Sequence, residues 1–115
     1  MKLEVGMYVR TKALLNYDYV KITKIKHIEE KETCLYIWLE DKDLVTEQYI
    51  KKASHNIIDL IEEGDYVNGY KVEYTLKKLL GFEDGQDGDW YMSNENIKSI
   101  VTKEQFESIK YSLEG

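Results

Sequence analysis

Val5-Gly6-Met7-Tyr8-Val9 stands near the start of the chain, and Glu63-Gly64-Asp65-Tyr66-Val67 echoes it just past the middle. A second echo follows the same division. Lys51-Lys52-Ala53-Ser54-His55-Asn56-Ile57-Ile58-Asp59-Leu60 has a counterpart in Ile97-Lys98-Ser99-Ile100-Val101-Thr102-Lys103-Glu104-Gln105-Phe106. A chain of 115 residues that repeats itself halfway holds two units of about 57 residues each. A unit of that size buries only a marginal core by itself, so the halves are expected to share one. Residues 1–60 form the first unit and residues 61–115 the second, packed as one compact domain. No proline occurs, so turns must come from glycine, asparagine and aspartate.

The patterning between the echoes is that of strands. Met7 and Val9 alternate with Tyr8 and Arg10. Residues 19–28 are rich in β-branched side chains, but their phase slips between Ile22 and Ile25, which predicts a bulge near Thr23-Lys24. Glu29-Glu30-Lys31-Glu32 reads as a polar hairpin loop. Residues 34–39 are apolar throughout, the mark of a strand covered on both faces. Residues 50–54 form a short strand and residues 57–60 a 3₁₀ turn, with Asn56 placed to cap it. In the second unit, Asn68-Gly69 is a strong hairpin signal. Residues 71–77 alternate, predicting Val72, Tyr74 and Leu76 inward, and residues 81–89 read as a glycine- and acid-rich loop. Trp90-Tyr91-Met92 and residues 96–101 form further strands. Thr102-Lys103-Glu104-Gln105 fits a capping box at the start of a short C-terminal helix, with Val101 and Phe106 placed for a hydrophobic staple.

The expected fold is mainly β. The order of elements gives two tandem SH3-like partial barrels sharing a strand, each with a short helical turn, plus a short C-terminal helix. Residues 60–67 would be the shared strand, closing the first barrel and opening the second.

Composition narrows the function. The hydrophobic fraction of 43% is that of a globular protein. No apolar run approaches the ~20 residues of a membrane-spanning helix, the first residues do not form a signal peptide, and a lone Cys34 permits no internal disulfide. A cytoplasmic location is the expectation. Residues 1–60 balance ten Lys/Arg against ten Asp/Glu, while residues 61–115 carry six against twelve, so the whole net charge of −6 lies in the second half. Direct binding to nucleic acid is therefore not expected, since phosphates require a basic surface.

Few residues carry chemistry. Cys34 with His55 is one nucleophile–base pair the composition allows, but nothing marks Cys34 as activated, and a small core residue is the expectation. No catalytic residue is assigned. No Cys/His spacing fits zinc. Asp84 and Glu95 match the first and last positions of a calcium loop, but Gln86, Gly88 and Asp89 break the frame, so no metal and no cofactor is expected. Glu83, Asp84, Asp87 and Asp89 make an acidic loop, either a solvated hairpin or a finger that competes for a partner's basic groove. Tyr8, Arg10, Tyr17 and Tyr19, with Lys21, Lys24 and Lys26 nearby, make a second candidate surface, suited to single-stranded nucleic acid or a nucleotide if it is not an ordinary sheet face.

The stretches Lys52-Ala53-Ser54-His55-Asn56-Ile57-Ile58-Asp59-Leu60-Ile61 with Gly64-Asp65-Tyr66-Val67-Asn68-Gly69-Tyr70, and Ile97-Lys98-Ser99-Ile100-Val101-Thr102-Lys103-Glu104-Gln105-Phe106-Glu107, resemble small uncharacterised proteins encoded by phages and prophages of Firmicutes such as clostridia. The resemblance covers about a quarter of the chain and carries no activity with it. It implies a non-enzymatic accessory protein of the bacterial host cytoplasm. The leading expectation is an inhibitor of a host defence system, anti-CRISPR or similar, that contacts a host protein such as a nuclease through an acidic surface. A protein that sequesters a nucleotide signal and an SH3-like structural or regulatory module are the alternatives.

Overall fold

The computed structural model describes residues 2–12, 20–83 and 88–107. Within them the chain is mainly β, with three antiparallel sheets and a short helix at residues 103–107. In the first unit the strands are β1 (Tyr8–Thr11), β2 (Ile22–Lys31), β3 (Cys34–Leu39), β4 (Leu44–Thr46) and β5 (Ile50–Ser54). They form one sheet in the order β4-β3-β2-β1-β5, with a 3₁₀ turn at Glu47–Tyr49 leading into β5. In the second unit come β6 (Tyr66–Val67), β7 (Tyr70–Lys71), β8 (Tyr74–Leu76), β9 (Leu79–Glu83), β10 (Asp89–Met92) and β11 (Ile100–Val101). Here the orders are β10-β9-β8 and β11-β6-β7, with a 3₁₀ turn at Asn94–Asn96 before the last strand. Counting β7 and β8 as one interrupted strand, the second unit repeats the pairing order of the first.

The repeated glycines show why the echo exists. Gly6 and Gly64 have φ of +92° and +93°, a region that glycine enters without steric cost. Each is the third residue of a four-residue turn, closed by Met7 N–H to the Glu4 carbonyl in one unit and Asp65 N–H to the Glu62 carbonyl in the other. Each glycine N–H then bonds the strand across, at Ile25 in one unit and Val72 in the other, and those two residues return a bond to Met7 and Asp65. Val9 and Val67 follow at the same offset, both fully buried. One six-residue pattern, 4–9 in the first unit and 62–67 in the second, therefore sets the first corner of both.

Each unit has its own apolar centre. Val9, Ile25, Ile37, Leu39 and Ile50 fill the first, and Ile58, Ile61, Val67, Val72, Leu80, Phe82 and Met92 the second. Ile22, from β2, packs against the second core and so links the two.

Several local expectations are corrected. The strand that closes the first barrel is β5, preceded by the turn at Glu47–Tyr49, and not residues 60–67. The expected 3₁₀ turn at Ile57–Leu60 forms, but only Tyr66–Val67 beyond it is strand, paired with β7 and β11. The tight turn at Gly64 interrupts the segment. Asn56 does not cap the 3₁₀ turn with its side chain; instead Ser54 Oγ accepts the Asn56 N–H at 3.0 Å and donates to Asp59 at 2.6 Å. The bulge in β2 falls at Ile25–His27, and β2 runs through Glu29-Glu30-Lys31, so the hairpin turn is shorter than the polar run suggested. Gly81–Glu83 is strand rather than loop. The Asn68-Gly69 turn has φ of +53° and +88°, the paired positive values of a type I′ hairpin. Thr102 and Gln105 form the capping box in both directions, at 2.9 and 3.1 Å.

Residues 60–67 do join the units, through side chains. Arg10 and Asp65 are both fully buried, and their side chains meet in a two-pronged ion pair at 2.6 and 3.1 Å. Asp65 also accepts the N–H groups of Glu62 (2.7 Å) and Lys103 (3.0 Å), so its four bonds tie β1, the 62–65 turn and the C-terminal helix together. Arg10 further donates to the Leu60 carbonyl and to Glu104. Burial alone would lower the Arg10 pKa, but the bond to Asp65 and the charges of Asp65, Glu62 and Glu104 outweigh it and raise it. Thr102 Oγ1 adds a bond across the same junction to the Val20 carbonyl, 2.8 Å.

Glu62 lies at the rim of this cluster, 2.9 Å from Lys51, 3.0 Å from Lys103 and 3.4 Å from Arg10. Burial opposes its ionisation, but the bonds to Lys51 and Lys103 and the Arg10 charge win, lowering its pKa from 4.5 to about 2. A carboxyl group depressed in the folded state contributes stability above its unfolded pKa and loses it as pH falls through the folded value. Wild type should therefore exceed Glu62→Gln in stability at about pH 6, and the gap should close between about pH 4.5 and pH 2. Urea denaturation of both proteins across that range checks this; a gap independent of pH would show that the Glu62 charge is not what stabilises.

Candidate protein interface

The acidic loop joins β9 to β10. Glu83 ends β9 and Asp89 begins β10, and the two face each other directly across the ladder. Both are exposed. Asp84 and Asp87 lie outside the described residues. Like charges directly opposed in a sheet are unfavourable, so this pair is not explained by stability.

The alternation along β8, β9 and β10 sorts the side chains cleanly. Leu80, Phe82, Trp90 and Met92 face the second core, with Phe82 and Trp90 stacked at 4.3 Å. Tyr74, Leu76, Leu79, Gly81, Glu83, Asp89 and Tyr91 share the outer face, since Tyr74 and Tyr91 both lie opposite Gly81 and Leu76 lies opposite Leu79. Leu76, Leu79 and Tyr91 remain 50%, 37% and 51% exposed. Apolar groups adjoining acids on an open sheet face have the make-up of a protein contact surface.

Gly81 shapes this face. A Cβ there would sit 2.3 Å from the ring of Tyr74, which leans over the glycine. The Tyr74 hydroxyl thereby reaches Asp89 Oδ2 at 2.9 Å and the Tyr91 hydroxyl at 3.1 Å. A phenol has one proton, so the Tyr74 hydroxyl donates it either to Asp89 or to the Tyr91 oxygen. The bond with Tyr91, partial burial and the bond with Asp89 together push the Tyr74 pKa up, so the donor stays protonated.

The alternation along residues 71–77 predicts Tyr74 and Leu76 inward only if those residues form one strand. The chain instead changes partners between Val72, bonded to residues 64–65, and Glu73, bonded to Gly81. This corner turns the following alternation outward. The alternation of Trp90-Tyr91-Met92 alone could have marked Tyr91 as outward.

The second candidate surface is corrected at its centre. Arg10 is not on a surface but enclosed in the ion pair with Asp65, because a buried carboxylate on the facing unit draws it in. Tyr17 and Tyr19 lie outside the described residues. Tyr8 is half-buried, with the Lys24 ammonium 5.4 Å from its ring centre. Lys21 is held by Asp41 and Asp43, and although burial opposes its charge, those bonds raise its pKa. The cations available to a nucleotide on this face are thus fewer than its composition suggests.

Cys34 is half-buried beside a shallow groove of about 490 Å³ lined by Lys31, Glu32, Thr33 and Tyr36, and its thiol faces the Leu35 carbonyl at 3.9 Å. His55 lies 3.6 Å from Glu4. Among the described residues, no group of three or more His, Cys, Asp and Glu side chains is placed to hold a metal ion, and no helix is long and apolar enough to cross a membrane.

Comparison with protein families, with curated proteins and with solved structures gives no match.

Proposed function

We propose that this protein is a non-enzymatic binding protein that docks on a basic surface of a partner protein through the outer face of β8, β9 and β10. The observation that carries this reading is the directly opposed Glu83 and Asp89 beside exposed Tyr91, Leu76 and Leu79. An acidic rim steers a basic partner in and the apolar centre holds it. The resemblance to phage and prophage proteins makes a host defence protein, such as a nuclease of a CRISPR system, the expected partner, and the bacterial cytoplasm the place of action. Occupying a nucleic-acid channel with an acidic surface would inhibit such a protein without any catalysis.

The test compares tagged wild type with a variant carrying Lys at positions 83, 84, 87 and 89 in a pull-down from host lysate. Wild type should retain a host protein that the variant loses, and retention should weaken with added salt. Equal retention by both would overturn the reading.

A further inference from the structure

We propose that Tyr91 and Asp89 form a receptor for an arginine side chain of the partner, with Tyr74 as the residue that positions both. The inference rests on the docking face described above and names what that face recognises. Three observations converge on it. The Tyr91 ring is half exposed on the open side of the sheet, where it contributes little to the core. The Asp89 carboxylate is held by the Tyr74 hydroxyl through Oδ2, and a carboxylate so held can accept further bonds. The Tyr74 ring is itself edge-on to Tyr91, with centres 6.2 Å apart, and lies over Gly81, where any other residue would displace it.

A guanidinium suits this arrangement better than an ammonium. It is flat, so it can stack on the Tyr91 ring while its N–H groups reach the carboxylate alongside. Glu83, opposite Asp89, offers a second carboxylate, and Leu76 and Leu79 offer an apolar track for the side-chain stem. A lysine could satisfy the charge but not the stacking and the fork together. An acidic partner would be repelled. Because Tyr74 and Asp89 are already bonded, little ordering remains to be done on binding.

The experiment uses fluorescence anisotropy at about 0.15 M salt with two labelled peptides, alternating Gly-Arg and alternating Gly-Lys, of equal length and charge. Wild type should bind the arginine peptide more tightly than the lysine peptide by roughly twofold to thirtyfold, the range of one desolvated cation–ring contact. Tyr91→Ala and Asp89→Asn should abolish that preference, and Tyr91→Phe should keep most of it. Gly81→Ala, which pushes Tyr74 away while leaving Tyr91 and Asp89 in place, should reduce it. All three positions lie on the outer face, and a thermal melt of each variant confirms folding. Equal affinity for both peptides, or an arginine preference that survives Tyr91→Ala, would overturn the receptor while leaving the acidic docking face standing. No binding of either peptide would also overturn it. The docking face itself fails only on the host-lysate comparison, so the two failures are distinguishable.

Discussion

Arg10→Met is expected to lower stability by about 3–5 kcal/mol, the usual cost of removing one partner of a buried ion pair. The substitution keeps much of the volume, so the loss is electrostatic. It strands the fully buried Asp65 carboxylate, which keeps only the two N–H donors of Glu62 and Lys103. It also removes the donor of the Leu60 carbonyl and the cation nearest Glu104. Against the 5–15 kcal/mol of a typical domain this is a large fraction. Chemical denaturation followed by circular dichroism measures it, and a loss under about 1 kcal/mol would show that the pair adds little beyond its neighbours. Changing both residues to apolar ones, Arg10→Met with Asp65→Leu, should recover part of the loss and not all. The N–H groups of Glu62 and Lys103 would then have no carboxylate to bond, and orphaned buried donors cost free energy.

Phe82→Ala should cost a comparable amount, about 3–5 kcal/mol, by opening a cavity in the second core. Phe82 is 1% exposed, stacked on Trp90 and met edge-on by Tyr70, so several neighbours lose contacts together. The shape of the unfolding curve is the sharper readout. If the second unit alone unfolded, Arg10 would be left charged in the first unit without Asp65, Glu62 or Glu104. Unfolding either half therefore strips the ion pair, and Phe82→Ala should unfold in one transition at a lower midpoint. Arg10→Met weakens that coupling, so the Arg10→Met, Phe82→Ala double variant should separate the two cores into two transitions. Hydrogen exchange distinguishes the cases: in Phe82→Ala the amides of β1–β5 and of β9–β10 should lose protection together. Retention of full protection in β1–β5 while β9–β10 exchanges would show that the units are independent.

Much of the architecture was legible in local patterns. The echo of Gly6 and Gly64 marked the two barrels because a positive φ followed by a buried valine is a requirement of the backbone itself. Asn68-Gly69 and the Thr102–Gln105 box were legible for the same reason: each is satisfied by residues within three or four positions. The errors fell where pairing partners change. The second strand of each barrel leaves one neighbour for another, at Ile25 by a bulge within one continuous strand and at Val72 by a break. After the break, the inward and outward positions of Tyr74 and Leu76 were reversed. The acidic half of the candidate interface was visible as composition, while its aromatic half was hidden by that reversal.

The amino-acid sequence by itself determined the β class, the twofold repetition, the hairpin and helix starts, and the concentration of acid in the second half. Only the tertiary structure decided that Arg10 is an interior residue and Tyr91 an exterior one. Alternation along a strand says which side chains share a face, but not what covers that face. Arg10 is buried because Asp65, 55 residues away, lies across the junction to neutralise it. Tyr91 stays open because, among the described residues, its face of the sheet meets Tyr74 and Asp89 and leaves half of the ring to solvent.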